Sequence, residues 1–315
     1  MAQQVLNDGE SGLIFRTKLN DNYSELYAAG GLVEANTTVT ASPTGAGADY
    51  TLPAAIAAAR AVSRQNSQYT YTISCLAGTY TILDTEVSLY SLGSKVIIQS
   101  DSGLNTDVII RVSDTSFEIP VVDIGVWEIM RCNEVHLQNL KIVGSIYSSF
   151  TPYLNILDSN ITERVDLYRS FLYATSLQTR ALWAAAGAEV LCDGLDVDGT
   201  DSIDTYLTNR SPIWLNSAKM HLSGTVVFDN VPTDPANESL ARLYQASDLT
   251  FLDNFIVGAT MGHATQPCFF LENVSRVHCT GDGDGGLYGS LSNLSVADGS
   301  NQEEMCSILI TGTYT

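Results

Sequence analysis

The chain has no unbroken apolar run near the ~18 residues that a membrane-spanning helix requires. Its best candidate, Pro53–Val62, is Ala-rich and short, so no membrane insertion is expected. Basic residues are scarce: 15 Lys and Arg stand against 35 Asp and Glu, a net charge of −20. The few cations are scattered singly, which predicts no nucleic-acid partner. The opening Met1–Glu10 has neither a basic nor an apolar stretch, so no cleavable export signal is expected. Cys75, Cys132, Cys192, Cys268, Cys279 and Cys306 are too widely spaced for a zinc ribbon or a redox pair. Most sit in alternating apolar runs and read as small buried hydrophobes. What is present is apolar residues, 45% of the chain, enough for a core and too many for global disorder.

Ser11–Tyr27 is predicted to be a short helix. Phe15, Leu19, Tyr23, Leu26 and Tyr27 fall on one helical stripe, between the Asp8–Gly12 turn and Ala28-Ala-Gly-Gly31. A lone helix of this length is marginal in water, so its stripe must be buried against another domain or chain. Gly9-Glu-Ser-Gly-Leu13 and Arg16-Thr-Lys-Leu-Asn-Asp-Asn-Tyr-Ser-Glu-Leu-Tyr27 resemble the opening of many tailed-bacteriophage tail proteins. The resemblance implies that residues 1–30 anchor the chain to a virion through those five side chains, with other tail proteins as partners.

Residues 31–50 are polar, carry a Ser42-Pro-Thr-Gly45 turn, and read as a linker. Thr51 can cap a following helix, Pro53 suits its first turn, and the alanines favour it. Strand-like alternation follows in Tyr69-Thr-Tyr-Thr-Ile-Ser-Cys-Leu-Ala-Gly78-Thr-Tyr80. An Ala-rich helix followed by such a strand and a Gly-Thr-Tyr turn resembles the start of pectin-lyase-like right-handed parallel β-helices. In those proteins the helix caps the open end of the solenoid.

Apolar-x-apolar pairs recur at Val135/Leu137, Val165/Leu167, Val190/Cys192, Met220/Leu222, Leu249/Phe251, Val277/Cys279 and Cys306/Ile308. Their first positions are 30, 25, 30, 29, 28 and 29 residues apart. Such a period suits coils stacked at the ~4.8 Å strand spacing, with intervening residues pointing outward. The expected fold is all-β: a right-handed parallel β-helix over 51–315, of about nine coils and on the order of 45 Å long. A β-sandwich would show turn signals at shorter intervals without this super-period.

The polygalacturonase series is absent: Asn105-Thr-Asp107 matches one element alone, and Gly262-His263 is followed by Ala. Arg16-Thr-Lys18 lies ahead of the fold. Glu189, Asp193, Asp196, Asp198, Asp201 and Asp204 form an acidic cluster without a cation. Asp196 and Asp198 are expected outward on one strand, roughly 7 Å apart, a spacing suited to a glycosidase pair or calcium. They are the catalytic candidates; a solvated acidic face is the plainer alternative. Asp282 and Asp284, in Gly281-Asp-Gly-Asp-Gly-Gly286, are the metal candidates, against a flexible surface loop. His136, His221 and His278 are expected on one outward ladder, with Asp166, Leu191 and Thr250 between them and His136 and His221 three coils apart.

The resulting expectation is a phage tail fibre or spike, assembled in the host cytoplasm. It attaches through its N-terminus and presents its β-helix to a host surface glycan or receptor. A homotrimer is expected, with no cofactor beyond a structural calcium ion. Missing motifs argue against enzymatic activity; the alternative is a tailspike depolymerase.

Overall fold

Alternating apolar residues commit most of the chain to strands with one buried and one outward side. The computed structural model describes residues 35–62, 68–113, 125–198, 211–229, 241–252, 255–257, 269–271, 274–280, 287–288 and 307–311. Among these residues 24 strands join one sheet, and every pairing is parallel. Two helices accompany them among the described residues, α1 (Leu52–Val62) and α2 (Asp84–Val87). Neither is long and apolar enough to cross a membrane.

The strands stack in three columns, faces I, II and III, which each coil visits in turn. Glu134–Gln138 lies on face I, Lys141–Val143 on face II and Ser145–Ser149 on face III. Tyr153–Leu157 then returns to face I beside Glu134–Gln138. This all-β, coil-on-coil arrangement is consistent with a parallel β-helix. Inward columns run the length of the stack: Tyr71, Val96, Val135, Leu154, Leu172, Val190, Met220, Leu249 and Val277 are all buried.

The coil length is not uniform. Val135, Leu154, Leu172 and Val190 occupy successive levels of face I, 19, 18 and 18 residues apart. Met220, Leu249, Val277 and Ile308 follow at 30, 29, 28 and 31. The expected steps of 30 and 25 through Val165 therefore hide three short coils; Val165/Leu167 lies on face III. The long coils carry their extra residues at the turn from face II to face III, between Asp198 and Ile213, Asp229 and Ala241, and Val257 and Phe269. Face I holds eleven levels from Thr37 to Ile308, against the nine expected. The first, Thr37–Ser42, lies within the 31–50 stretch read as linker and pairs with Thr70–Cys75.

Two corners rest on left-handed residues. From face I to face II these are Asn139, Asp158, Ser176, Gly194 and Gly224, types that tolerate positive φ. From face III to face I they are Ser91, Arg131, Phe150, Arg169, Ala186, Ser217, Gln245 with Ala246, and Val274. The N–H of Arg131 donates to Ser149 O at 2.9 Å, and that of Phe150 to Tyr168 O at 3.0 Å. These coil-to-coil bonds hold a conformation that costs a bulky residue energy.

Helix α1 buries Leu52, Ala55, Ile56 and Ala59 and packs on strands Thr37–Ser42 and Thr70–Cys75. Arg60 fastens it by donating to the carbonyls of Glu86, at 3.1 Å, and Ser88. Cys75, Cys132 and Cys192 are free and buried, as small hydrophobes should be. Burial pushes their thiols up to about 12, 11 and 12, so they stay protonated and unreactive.

Candidate functional site

Face III carries a cluster of outward aromatic side chains. Its central outward column reads Glu128, Tyr147, Asp166, Trp183, Trp214 and Arg242, one residue per coil. The tryptophans project because each lies between two buried neighbours on its strand, Leu182 and Ala184 for one, Ile213 and Leu215 for the other.

The Trp183 and Trp214 ring centroids are 6.2 Å apart, and Tyr244 lies 6.0 Å beyond Trp214. Trp183 Nε1 donates to Ser211 O at 3.0 Å, which pins the indole. The Arg164 guanidinium lies 4.5 Å from the centre of the Trp183 ring, a cation–π contact. Arg164 Nε is 3.6 Å from Asp166 Oδ2. Burial raises the Asp166 carboxyl above its ordinary value, against the opposing pull of Arg164 and a backbone hydrogen bond. Across the strip, the Tyr90 hydroxyl bonds Glu128. The result is two indoles along the stack axis with the Tyr244 ring set diagonally on the next coil, flanked by arginines and by carboxylates.

Asp196 and Asp198 do lie on one outward strand edge, on face II. Gln178 Nε2 donates to Asp196 Oδ2 at 3.3 Å and to Asp198 Oδ2 at 3.1 Å. Asn160 Nδ2 donates to Gln178 Oε1 at 2.6 Å. The two carboxylates thus end an amide ladder that runs up face II. Glu189 belongs to face I, opposite Lys219, and Asp193 to the following corner, so the acidic cluster is spread over more than one face. Among the described residues no group of three or more His, Cys, Asp and Glu is placed to hold a metal ion. Asp282 and Asp284, and the anchor residues Phe15, Leu19, Tyr23, Leu26 and Tyr27, lie outside the described residues.

The histidine ladder is real but differently composed. His136 is followed by Asn155, Tyr173, Leu191, His221, Thr250 and His278. His136 and His221 are therefore four coils apart, not three, and Asp166 stands on face III instead. The short coils account for the difference. His136 Nε2 donates to Glu134 Oε1 at 2.6 Å, and Lys95 Nζ pairs with the same oxygen at 2.9 Å.

Sequence reasoning missed the tryptophan strip. Its signal was present as Leu182-Trp-Ala184 and Ile213-Trp-Leu215, the apolar-x-apolar pattern with an indole in the outward slot. That the two indoles are adjacent follows only from the coil register. Comparisons with protein-family models, curated proteins and solved structures find no match for the chain.

Proposed function

We propose that the chain is a virion tail component of a tailed bacteriophage, a fibre or spike that attaches through its N-terminus and binds a host surface glycan along face III. In this reading the stack is a right-handed β-helix, α1 covers its first coil, and three copies associate. The Trp183–Trp214–Tyr244 strip is the observation that carries it. Three rings spaced at about 6 Å on adjacent coils offer successive stacking surfaces to the apolar sides of a sugar chain. Arg164, Arg242 and Asp166 supply the polar contacts that fix orientation. The tail-protein resemblance of residues 1–30 supports the virion setting.

The test is titration of the full chain with purified capsule and lipopolysaccharide from candidate hosts, read by tryptophan fluorescence. Binding is expected to quench the signal saturably, and W214A is expected to weaken it by about tenfold or more, the loss of one stacking platform. Failure of every host glycan to bind, or unchanged binding by W214A, overturns the reading.

One observation favours a second reading, cleavage of the bound glycan. Glu128 and Asp166 share a column two coils apart, roughly 10 Å by strand spacing, near the upper limit for an inverting carboxylate pair. A reducing-sugar assay on the bound polymer decides between binding and cleavage.

A further inference from the structure

A second site is built at the corner between faces III and I, on the coils before the tryptophan strip. Three bulky residues take left-handed backbone there on successive coils: Arg131 (φ 55), Phe150 (φ 52) and Arg169 (φ 50). The equivalent positions of the other left-handed corner are small or polar, Asn139, Asp158, Ser176 and two glycines. Nothing in coil geometry calls for Phe or Arg at such a position, and left-handed backbone disfavours both. Strain of this kind concentrates where a side chain is held out for use.

The side chains held out are unlike the rest of the surface. Phe150 is 43% exposed, as is Tyr90 two coils earlier, and Tyr153 is 55% exposed. The Arg169 guanidinium lies 5.5 Å from the ring centres of both Phe150 and Tyr168. In a chain of net charge −20, neither Arg131 nor Arg169 has a carboxylate partner among the described residues. Beside them is an open cavity of about 330 Å³. Arg131, Asn133, Phe150 and Pro152 line it, with buried Leu92 and Cys132 also in its wall. The thiol of Cys132 is turned to the Leu89 carbonyl at 3.5 Å and takes no part.

The geometry points to a binding site for a single carboxylate-bearing sugar. The Arg131 guanidinium takes the carboxylate, the Phe150 ring takes the apolar side of the pyranose, and the Asn133 amide takes a hydroxyl. The volume is at the small end of ligand sites, roughly 300–1,000 Å³, which suits one or two rings rather than a chain. Arg169, stacked behind Phe150, adds positive charge and holds the ring. An acidic ligand fits because neither cation has a carboxylate partner among the described residues. The ligand class rests on the glycan reading above; the site does not overlap face III.

The test uses the full chain with free galacturonate, N-acetylneuraminate and galactose, by isothermal titration and saturation-transfer NMR. At least one acid is expected to bind saturably, with galactose weaker by roughly tenfold or more, the loss of a charge-assisted hydrogen bond. Which acid binds identifies the sugar. R131Q is expected to weaken acid binding by a similar factor. F150G removes the ring while relaxing the backbone, so it should lose binding in a folded protein, checked by circular dichroism. W214A should keep monosaccharide binding while losing polymer binding. No saturation by either acid at tens of millimolar overturns the inference, as does equal binding of galactose or wild-type affinity in R131Q. Loss of acid binding in W214A returns the ligand to face III and also overturns it. An unsubstituted chain that binds the acid but no host polymer touches only the glycan reading.

Discussion

Glu163 and Arg180 are both at 0% exposure, in the middle of the short-coil block. The register between their coils skips at this point: Ile161 faces Thr179 and Arg164 faces Ala181. Thr162 and Glu163 therefore bulge opposite Arg180 alone. An acid and a base with no access to water are tolerable only if each offsets the other's lost hydration. Removing one charge leaves its partner buried and uncompensated, so E163L and R180M should each cost about 3–5 kcal/mol. The double replacement E163L/R180M removes both charges and refills the space with apolar atoms. It should cost far less than the sum of the single changes, and on precedent for buried pairs it is near neutral. The assay is equilibrium urea unfolding of the four proteins, followed by circular dichroism, with midpoints and slopes compared. Single variants costing under about 1 kcal/mol, or a double variant equal to the sum of the singles, would refute the pairing.

Two further outcomes are expected. Gly144 has φ +145°, and a Cβ there would lie 2.9 Å from Gly125 O; G144A should therefore destabilise the chain by about 1–3 kcal/mol in the same assay, and a change under a few tenths would refute the close approach. His136 titrates below its ordinary value of 6.5, mainly through burial and also through the charge of Lys95, with Glu134 opposing. Burial would raise Glu134, but hydrogen bonds from Lys95 and His136 hold it below 4.5. Below about pH 6.5 the unfolded chain therefore binds the histidine proton more readily than the folded one, and stability should fall as pH drops, by at most about 1.4 kcal/mol per pH unit from this group. As pH drops further, the stability due to Glu134 is lost as well. H136Q should remove the first step of this decline in melting temperature against pH, and an unchanged profile would refute it.

The sequence alone determined the class of secondary structure and the sidedness of each strand. Val135/Leu137 and Met220/Leu222 could be assigned inward, and His136 and His221 outward, because a strand alternates its sides with a period of two whatever it pairs with. Asp196 and Asp198 were likewise placed on one outward edge. What alternation does not carry is which strands are neighbours. Val165/Leu167 shows the same pattern as Val135/Leu137, yet one pair is on face III and the other on face I. Coil length is set at the face II to III turn, which takes a single residue between Val143 and Ser145 and more than ten between Asp198 and Ile213, with no change in the strand pattern. The register between coils is thus a long-range property, and everything made across coils depends on it. The Trp183–Trp214 contact, the Gln178 bridge to two aspartates, the Glu163–Arg180 bulge and the Arg131–Phe150–Arg169 corner each join residues from separate coils. Only the stacked tertiary structure, which chooses among equally well-patterned strands, could bring them together.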